Sequence, residues 1–258
     1  MANSHVVIGD CHVKPGQDLS RFRVLGRYVV KKKPEVVVFL GDFADMPSLC
    51  SYDRGTRGFV GRRYHEDVNS VHEALALFMS PLNSYNKRRK DNKKKQYNPR
   101  LIMLGGNHDE ARINRAIEAD HVLEGTISIK DLHYDKHFEY YPYLDIVNVD
   151  GVNYTHCVKH KNSAMMVAGM HHAHALLQKR HASFTVGHSH LLDYKTDVVE
   201  GGKRIHGLVG GCFFEHDEDY AVQNTHHWWR GIIHKHNVQD GEYEPEFIGL
   251  QRLKELYG

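Results

Sequence analysis

Cysteine is scarce in this chain: Cys11, Cys50, Cys157 and Cys212 are the only four in 258 residues, and no two form a CxxC pair. That spacing excludes a zinc ribbon and a disulfide framework, and it leads us to expect a reducing, cytoplasmic setting. No run of about 18 apolar residues occurs, so neither a membrane-spanning helix nor a membrane partner is expected. Residues 1–10 pass directly into a strand-like run, which does not read as a signal peptide. Internal repeats, low-complexity segments and proline-rich linkers are missing too, and the simplest organisation is one domain over residues 1–258. Nor is there a global excess of charge, since 34 basic residues stand against 32 acidic ones. Seven of the basic residues lie between Lys87 and Lys95 with one acidic residue, which leaves 27 basic against 31 acidic elsewhere. Nucleic-acid binding is therefore argued from that run or not at all.

What the chain has in quantity is histidine, 22 residues with no hexahistidine run to account for them. Several follow one grammar, clearest at residues 101–109, LIMLGGNHD. Four apolar residues suit a strand buried on both faces, and the two glycines suit a turn where backbone passes close to something. Asn107 then offers a carbonyl oxygen, His108 a proton donor or acceptor near neutral pH, and Asp109 a carboxylate able to orient that imidazole. The device recurs. Residues 5–8 lead through Gly9 to Asp10 and His12, and residues 36–40 through Gly41 to Asp42 and Asp45. A hairpin around Asp150 and Gly151 ends at His156, and residues 183–186 lead through Gly187 to His188 and His190.

Between these strands, helices are predicted over residues 17–33, 68–85, 110–119 and 163–179, the last with Met166, Met170, Ala173 and Leu177 along one face. Its His171, His172 and His174 suit the helix surface or a site rim. Residues 46–64 read as a long loop whose four arginines, Arg54, Arg57, Arg62 and Arg63, could meet an anionic substrate; Arg54 and Arg57, with Arg112 further on, are the candidate contacts, and a solvated loop explains them equally. The Lys87 to Lys95 run is either a solvated helix end and turn or a phosphate-backbone contact. Residues 134–145 read as a connection, and 204–214, 228–238 and 246–250 as strands of a β-rich C-terminal part.

In open α/β sheets ligands bind where strand carboxyl ends converge, so the five polar strand ends can meet although far apart in sequence. Residues two apart on an extended chain share a side, so Asp10 with His12, and His188 with His190, can each grip one centre. Carboxylate, imidazole and amide oxygen without thiolate suit manganese, iron or zinc, with nickel or cobalt also accommodated. Seven candidates, Asp10, His12, Asp42, Asn107, His156, His188 and His190, are too many for one ion and suit two that share a carboxylate. His160 competes with His156 for its place, but lies four residues beyond the strand end.

The ordered set D-x-H, G-D-x-x-D, G-N-H-D, a lone His and G-H-x-H resembles the calcineurin-like metallophosphoesterase family over residues 10–190. The resemblance implies an α/β fold of two packed mixed β-sheets flanked by helices, an α/β/β/α sandwich with a dinuclear site at the strand ends. It implies Asp10, His12 and His190 on one metal, Asn107, His156 and His188 on the other, and Asp42 bridging them. Asp45 would sit behind the ligands, holding a neighbouring histidine. Two divalent ions would attract an anionic phosphoester and yield a nucleophile from water near neutral pH, with His108, oriented by Asp109, protonating the leaving oxygen. The second motif, GDFADMPS, lacks the arginine of the serine/threonine protein phosphatase branch, and GNHD replaces GNHE. The pattern is thus closer to the phosphodiesterase and nuclease branches, and the expected activity is a phosphodiesterase on nucleic acid or a nucleotide. The alternatives are a phosphomonoesterase of small molecules and a non-catalytic metal-binding scaffold.

Overall fold

The computed structural model describes residues 3–161, 163–217 and 225–258. Its first sheet joins β1 (Asn3–Ile8), β2 (Val36–Phe39), β3 (Arg100–Leu104) and β4 (Glu139–Tyr141), all parallel, to β10 (Gly231–Gln239) and β11 (Glu242–Gly249) in the order β11-β10-β1-β2-β3-β4. Strand β10 runs antiparallel to β1, and β11 antiparallel to β10. The second sheet joins β5 (Val147–Val149), β6 (Val152–Tyr154), β7 (Phe184–Val186), β8 (Leu192–Val198) and β9 (Arg204–Gly210) in the order β5-β6-β7-β9-β8. Both sheets are mixed, as expected.

The continuous apolar runs are explained by layering. Alternate residues of a strand face opposite ways, and here both ways lead into a core. Val6, Ile8, Val37, Phe39 and Met103 pack on Phe22, Leu25 and Val29 of α1 (Ser20–Lys32), Val71 and Phe78 of α2 (Tyr64–Asp91) and Leu253 of α5 (Leu250–Tyr257). Their neighbours Val7, Val38, Leu40, Ile102 and Leu104 face the second sheet through Val147, Val152, Tyr154 and Leu208. The far side of that sheet packs Phe184, Val186 and Val209 on Ala173 and Leu176 of α4 (His172–Arg180). All four cysteines are buried and free. Among the described residues no helix is long and apolar enough to cross a membrane.

Several segments differ from expectation. Residues 163–171 are not helical: Lys159 pairs with Met166, Gly169 takes φ +104°, and Met165 and Met170 are exposed, so α4 begins only at His172. His172 is buried and not on the helix surface, with Nδ1 3.4 Å from Ser189 Oγ at the edge of the cleft. The loop over 46–64 contains short 3-10 turns at Pro47–Leu49 and Arg57–Phe59. Helix α2 spans 28 residues and absorbs both Pro81 and the start of the basic run. Residues 134–145 contain β4, and both β8 and α5 escape the sequence reading.

Helices α1 and α2 meet at Gly26. A Cβ there would stand 2.4 Å from the Phe78 carbonyl oxygen and 3.0 Å from Pro81 Cγ, so the approach depends on a missing side chain. Gly26→Ala should therefore lower the urea unfolding midpoint, because overpacking costs about 1–3 kcal/mol against a helix-propensity gain of about 1 kcal/mol. An unchanged or raised midpoint would show that the helices part without cost.

Candidate metal centre

Asp10 and Asp42 follow the C-terminal ends of β1 and β2, and both are essentially excluded from solvent. Each divides its two oxygens in the same way. Asp10 Oδ1 accepts the His188 backbone N–H at 2.9 Å, and Asp42 Oδ1 accepts that of His108 at 2.7 Å. The other oxygens face imidazoles: Asp10 Oδ2 lies 3.0 Å from His190 Nε2 and 4.0 Å from His12 Nε2. Asp42 Oδ2 lies 3.7 Å from His12 Nε2 and 3.4 Å from His156 Nε2. Burial works to raise both carboxyl pKa values, yet the facing histidines hold Asp10 below, and Asp42 well below, the ordinary range. A Cβ on Gly106 would fall 2.0 Å from Asp42 Oδ1, so the second glycine of the GGNHD turn is what lets the turn close on this carboxylate.

The donor atoms collect in three overlapping groups, Asp10 with His12 and His190, His12 with Asp42 and His108, and Asp42 with His156 and His188, each within 4.8 Å. Asn107 Oδ1 joins the last group, 2.8 Å from His156 Nε2. His156 Nδ1 donates to the Leu40 carbonyl, which turns Nε2 toward Asp42. Burial opposes charge on His156, but the Asp42 carboxylate carries its pKa up to about 9, so an arriving cation displaces a proton there. His160 belongs to none of these groups.

The spacing reading, by which His188 and His190 can grip one centre, fails, and the division is the one that the family resemblance implies. His188 and His190 fall in different groups, although they stand two apart. The reason is the backbone: His188 and His190 have φ +70° and +58°, so the chain past β7 is not extended and the same-side rule fails. His12 and Asp42 are left-handed too, at +43° and +47°. Left-handed non-glycine residues of this density mark a segment whose geometry is imposed by its surroundings.

Asp109 is a second correction. It is wholly buried, and it accepts from the Gly106 and Glu110 backbones and from Tyr134 Oη, capping α3 (Glu110–Ala119) and fastening the turn. Burial and then the Asp42 charge push its pKa up to about 6. His108 is held instead by Asp45, whose Oδ1 lies 2.8 Å from Nδ1. Arg112 reaches the same oxygen at 3.1 Å, and Lys14 reaches Asp45 Oδ2 at 3.5 Å. Burial lowers the His108 pKa.

Asp42, Asp45, His108, His188 and His190 line the floor of a cleft of about 1620 Å³, and Asp10, His12 and His156 are buried beside them. Arg112 borders it, whereas Arg54 lines a smaller hollow beside Arg115 and the exposed Arg57 lines neither. Arg62 and Arg63 of the 46–64 loop form part of the wall, together with Lys14 and Trp228, which sequence reasoning missed. Of those two, only Lys14, two residues beyond His12, carried a signal in the sequence. Phe214 stacks on His12 at 4.8 Å and Trp228 meets His190 edge-on at 4.7 Å, so an aromatic wall shields one side of the centre.

The sequence model of the calcineurin-like phosphoesterases matches residues 5–251. The chain belongs to this family. Among solved structures, a conserved uncharacterized protein of Streptococcus pneumoniae, described as a predicted phosphoesterase, is 12% identical with a TM-score of 0.41 over 97% of this chain and 91% of its own. A nuclease MPE of Pseudomonas putida is also 12% identical, with a TM-score of 0.38 over 94% of this chain and 87% of its own. No curated protein matches. Calcineurin-like phosphoesterases are generally dinuclear metal-dependent hydrolases, and the donor set here fits that chemistry: two enclosed carboxylates face neutralisable imidazoles and an amide oxygen.

In the wall of this phosphoesterase's cleft, Asp67 is buried and accepts the Ser48 N–H at 3.0 Å. Burial, helped by the Asp45 charge, pushes its pKa up to about 6. The folded chain then holds a proton between about pH 4 and 6 that the unfolded chain has lost, so stability falls as pH rises through that window. Asp67→Asn in the metal-free protein should gain on the order of 2 kcal/mol at pH 8 and change little at pH 4, read by chemical denaturation. A loss at pH 8 would mean that the ionised carboxylate stabilises the wall.

Proposed function

We propose that the chain is a metal-dependent phosphodiesterase acting on a nucleotide or nucleic acid. The observation that carries this reading is the size of the cleft, about 1620 Å³, where small-molecule sites are roughly 300–1,000 Å³. A diester needs room on both sides of the phosphorus, and a monoester on one. Tyr52 and Trp228 on the lining offer flat faces on which a base can stack. Free, buried cysteines suit a reducing, cytoplasmic location.

In this reading Asp10, His12 and His190 would hold one divalent ion and Asn107, His156 and His188 a second, with Asp42 shared. Bound there, the ions would supply positive charge for the ester and a nucleophile drawn from water near neutral pH. Manganese suits the carboxylate, imidazole and amide donors. The chain's own part in the leaving step falls to His108. Asp45 fixes Nδ1, which leaves Nε2 as the nitrogen available to protonate the departing oxygen. Lys14 and Arg112, both tied to Asp45, hold that carboxylate in place.

With manganese, a chromogenic phosphodiester should turn over faster than the matching monoester. Monoester preference would point to a phosphatase of small molecules, and no turnover of either at full metal occupancy would point to a scaffold. His108→Ala should retain its metals and lose at least about 100-fold in kcat on esters with alkyl leaving groups. Asp45→Asn removes a charge that favours the protonated imidazole, so the basic limb of the pH–rate profile should move to lower pH; an unmoved limb would separate Asp45 from the acid.

The exposed cations between Lys87 and Lys95 close the far end of α2. Asp67 in the cleft wall and Arg89 are 22 residues apart on that helix, about 33 Å, so the run would serve a polynucleotide and not a nucleotide. Neutralising Lys90, Lys93, Lys94 and Lys95 together should weaken binding of an oligonucleotide and flatten its salt dependence, while leaving small-diester hydrolysis unchanged. Unaltered binding would return the run to a solvated helix end.

A further inference from the structure

A fourth group of ligating side chains lies away from the strand-end centre. His234 and His236 of β10 and Glu246 of β11 bring one donor atom each within 4.8 Å of the others. The register explains why. His234 stands directly opposite Glu246 across the antiparallel pair, and His236, two residues on, shares their face. The two imidazoles stack at 4.1 Å, and His236 Nε2 lies 3.0 Å from Glu246 Oε2.

Two features separate this group from a casual surface cluster. His234 is only 3% exposed, and its Nε2 has no hydrogen-bond partner. Its Nδ1 lies 2.7 Å from the Tyr28 hydroxyl of α1, which fixes the ring. With Nδ1–H donating to the tyrosine oxygen, Nε2 keeps a lone pair, the arrangement by which an outer partner sets the tautomer of a metal-binding histidine. A buried nitrogen without a partner costs free energy that a bound cation would relieve.

We propose that His234, His236 and Glu246 form a site for a single zinc-type transition-metal ion on the helix-covered face of the first sheet, distinct from the phosphoesterase centre. Two imidazole nitrogens and one carboxylate oxygen match the ligand types zinc accepts, and water completes the tetrahedron. The ion would clasp β11 to β10, and it shares no ligand with the other centre.

The full-length chain is dialysed to equilibrium against zinc, and bound metal is counted by elemental analysis for the native protein, His236→Ala and Glu246→Gln. Both substituted side chains are well exposed, 40% and 49%, so the fold is expected to survive, with circular dichroism as the check. Each variant should bind one ion fewer per chain than the native protein, whatever number the strand-end centre holds, and manganese-supported phosphoester hydrolysis should be unchanged. A chain carrying Asp10→Asn with Asp42→Asn should keep the ion that His236→Ala removes. Retention of the full native count by either single variant overturns the three-ligand site.

Discussion

The molecule is arranged around two carboxylates that have no business being buried singly. Removing an ion of this kind from water costs several kcal/mol even after relaxation, and Asp10 and Asp42 are both enclosed. Their stability rests on dividing the two oxygens between different partners. One oxygen of each takes a backbone N–H, from His188 and from His108, and the other faces imidazoles. These bonds also tie the layers together. Asp10 belongs to the first sheet and His188 follows the second, while His156, which follows the second, donates to Leu40 of the first. The rim where the sheets are pinned is therefore the rim where the ligating atoms gather, and the geometry of one constrains the other.

That coupling sets how far the sequence could be read. Each strand end was visible because an apolar run, a glycine and a polar residue succeed one another locally, and the layers follow from runs that are apolar on both faces. Which histidine faces which carboxylate was not visible in the spacing, and only the family resemblance separated His188 from His190. The assumption that His188 and His190 act together needs an extended chain, and both residues are left-handed. Likewise Asp109 is the neighbour of His108 in sequence, but the helix N-terminus claims its oxygens, and Asp45 arrives from another loop. Elements at the periphery were obscured by their exposure. Strand β8 reads LDYKTDV because it is an edge, and β4 is three residues long. Helix α5 escaped because the strand before it runs into it without a break, although Leu250, Leu253 and Tyr257 share a helical face.

The cleft carries a charge problem that the metal hypothesis resolves. Its lining holds Asp42, Asp45, Asp53, Glu66, Asp67 and Asp193 against Lys14, Arg62, Arg63 and Arg112. Several of those cations are already committed: Arg62 pairs with Asp53, and Arg112 and Lys14 with Asp45. A phosphoester approaching the protein alone would meet more negative than positive charge. Two divalent ions would reverse the sign at the place where the phosphorus would sit, so ester binding and metal binding would become one linked equilibrium. The pairing of the cations with carboxylates then reads as a way of fixing the walls, and the attraction is left to the floor.

Distance decides what the remaining positive charge can do. Over about 33 Å of α2, with a Debye length of about 8 Å at physiological ionic strength, cations between Lys87 and Lys95 contribute almost nothing to the potential felt by a small anion in the cleft. They cannot steer a nucleotide into it. Only a ligand long enough to touch both ends of the helix would sense them, and about ten stacked base pairs at 3.4 Å each cover that span. If the proposed diester activity holds, the basic run would separate two classes of substrate by reach: it would be indifferent to a free nucleotide diester and would favour a polymer, although the chemistry at the strand ends would be the same for both.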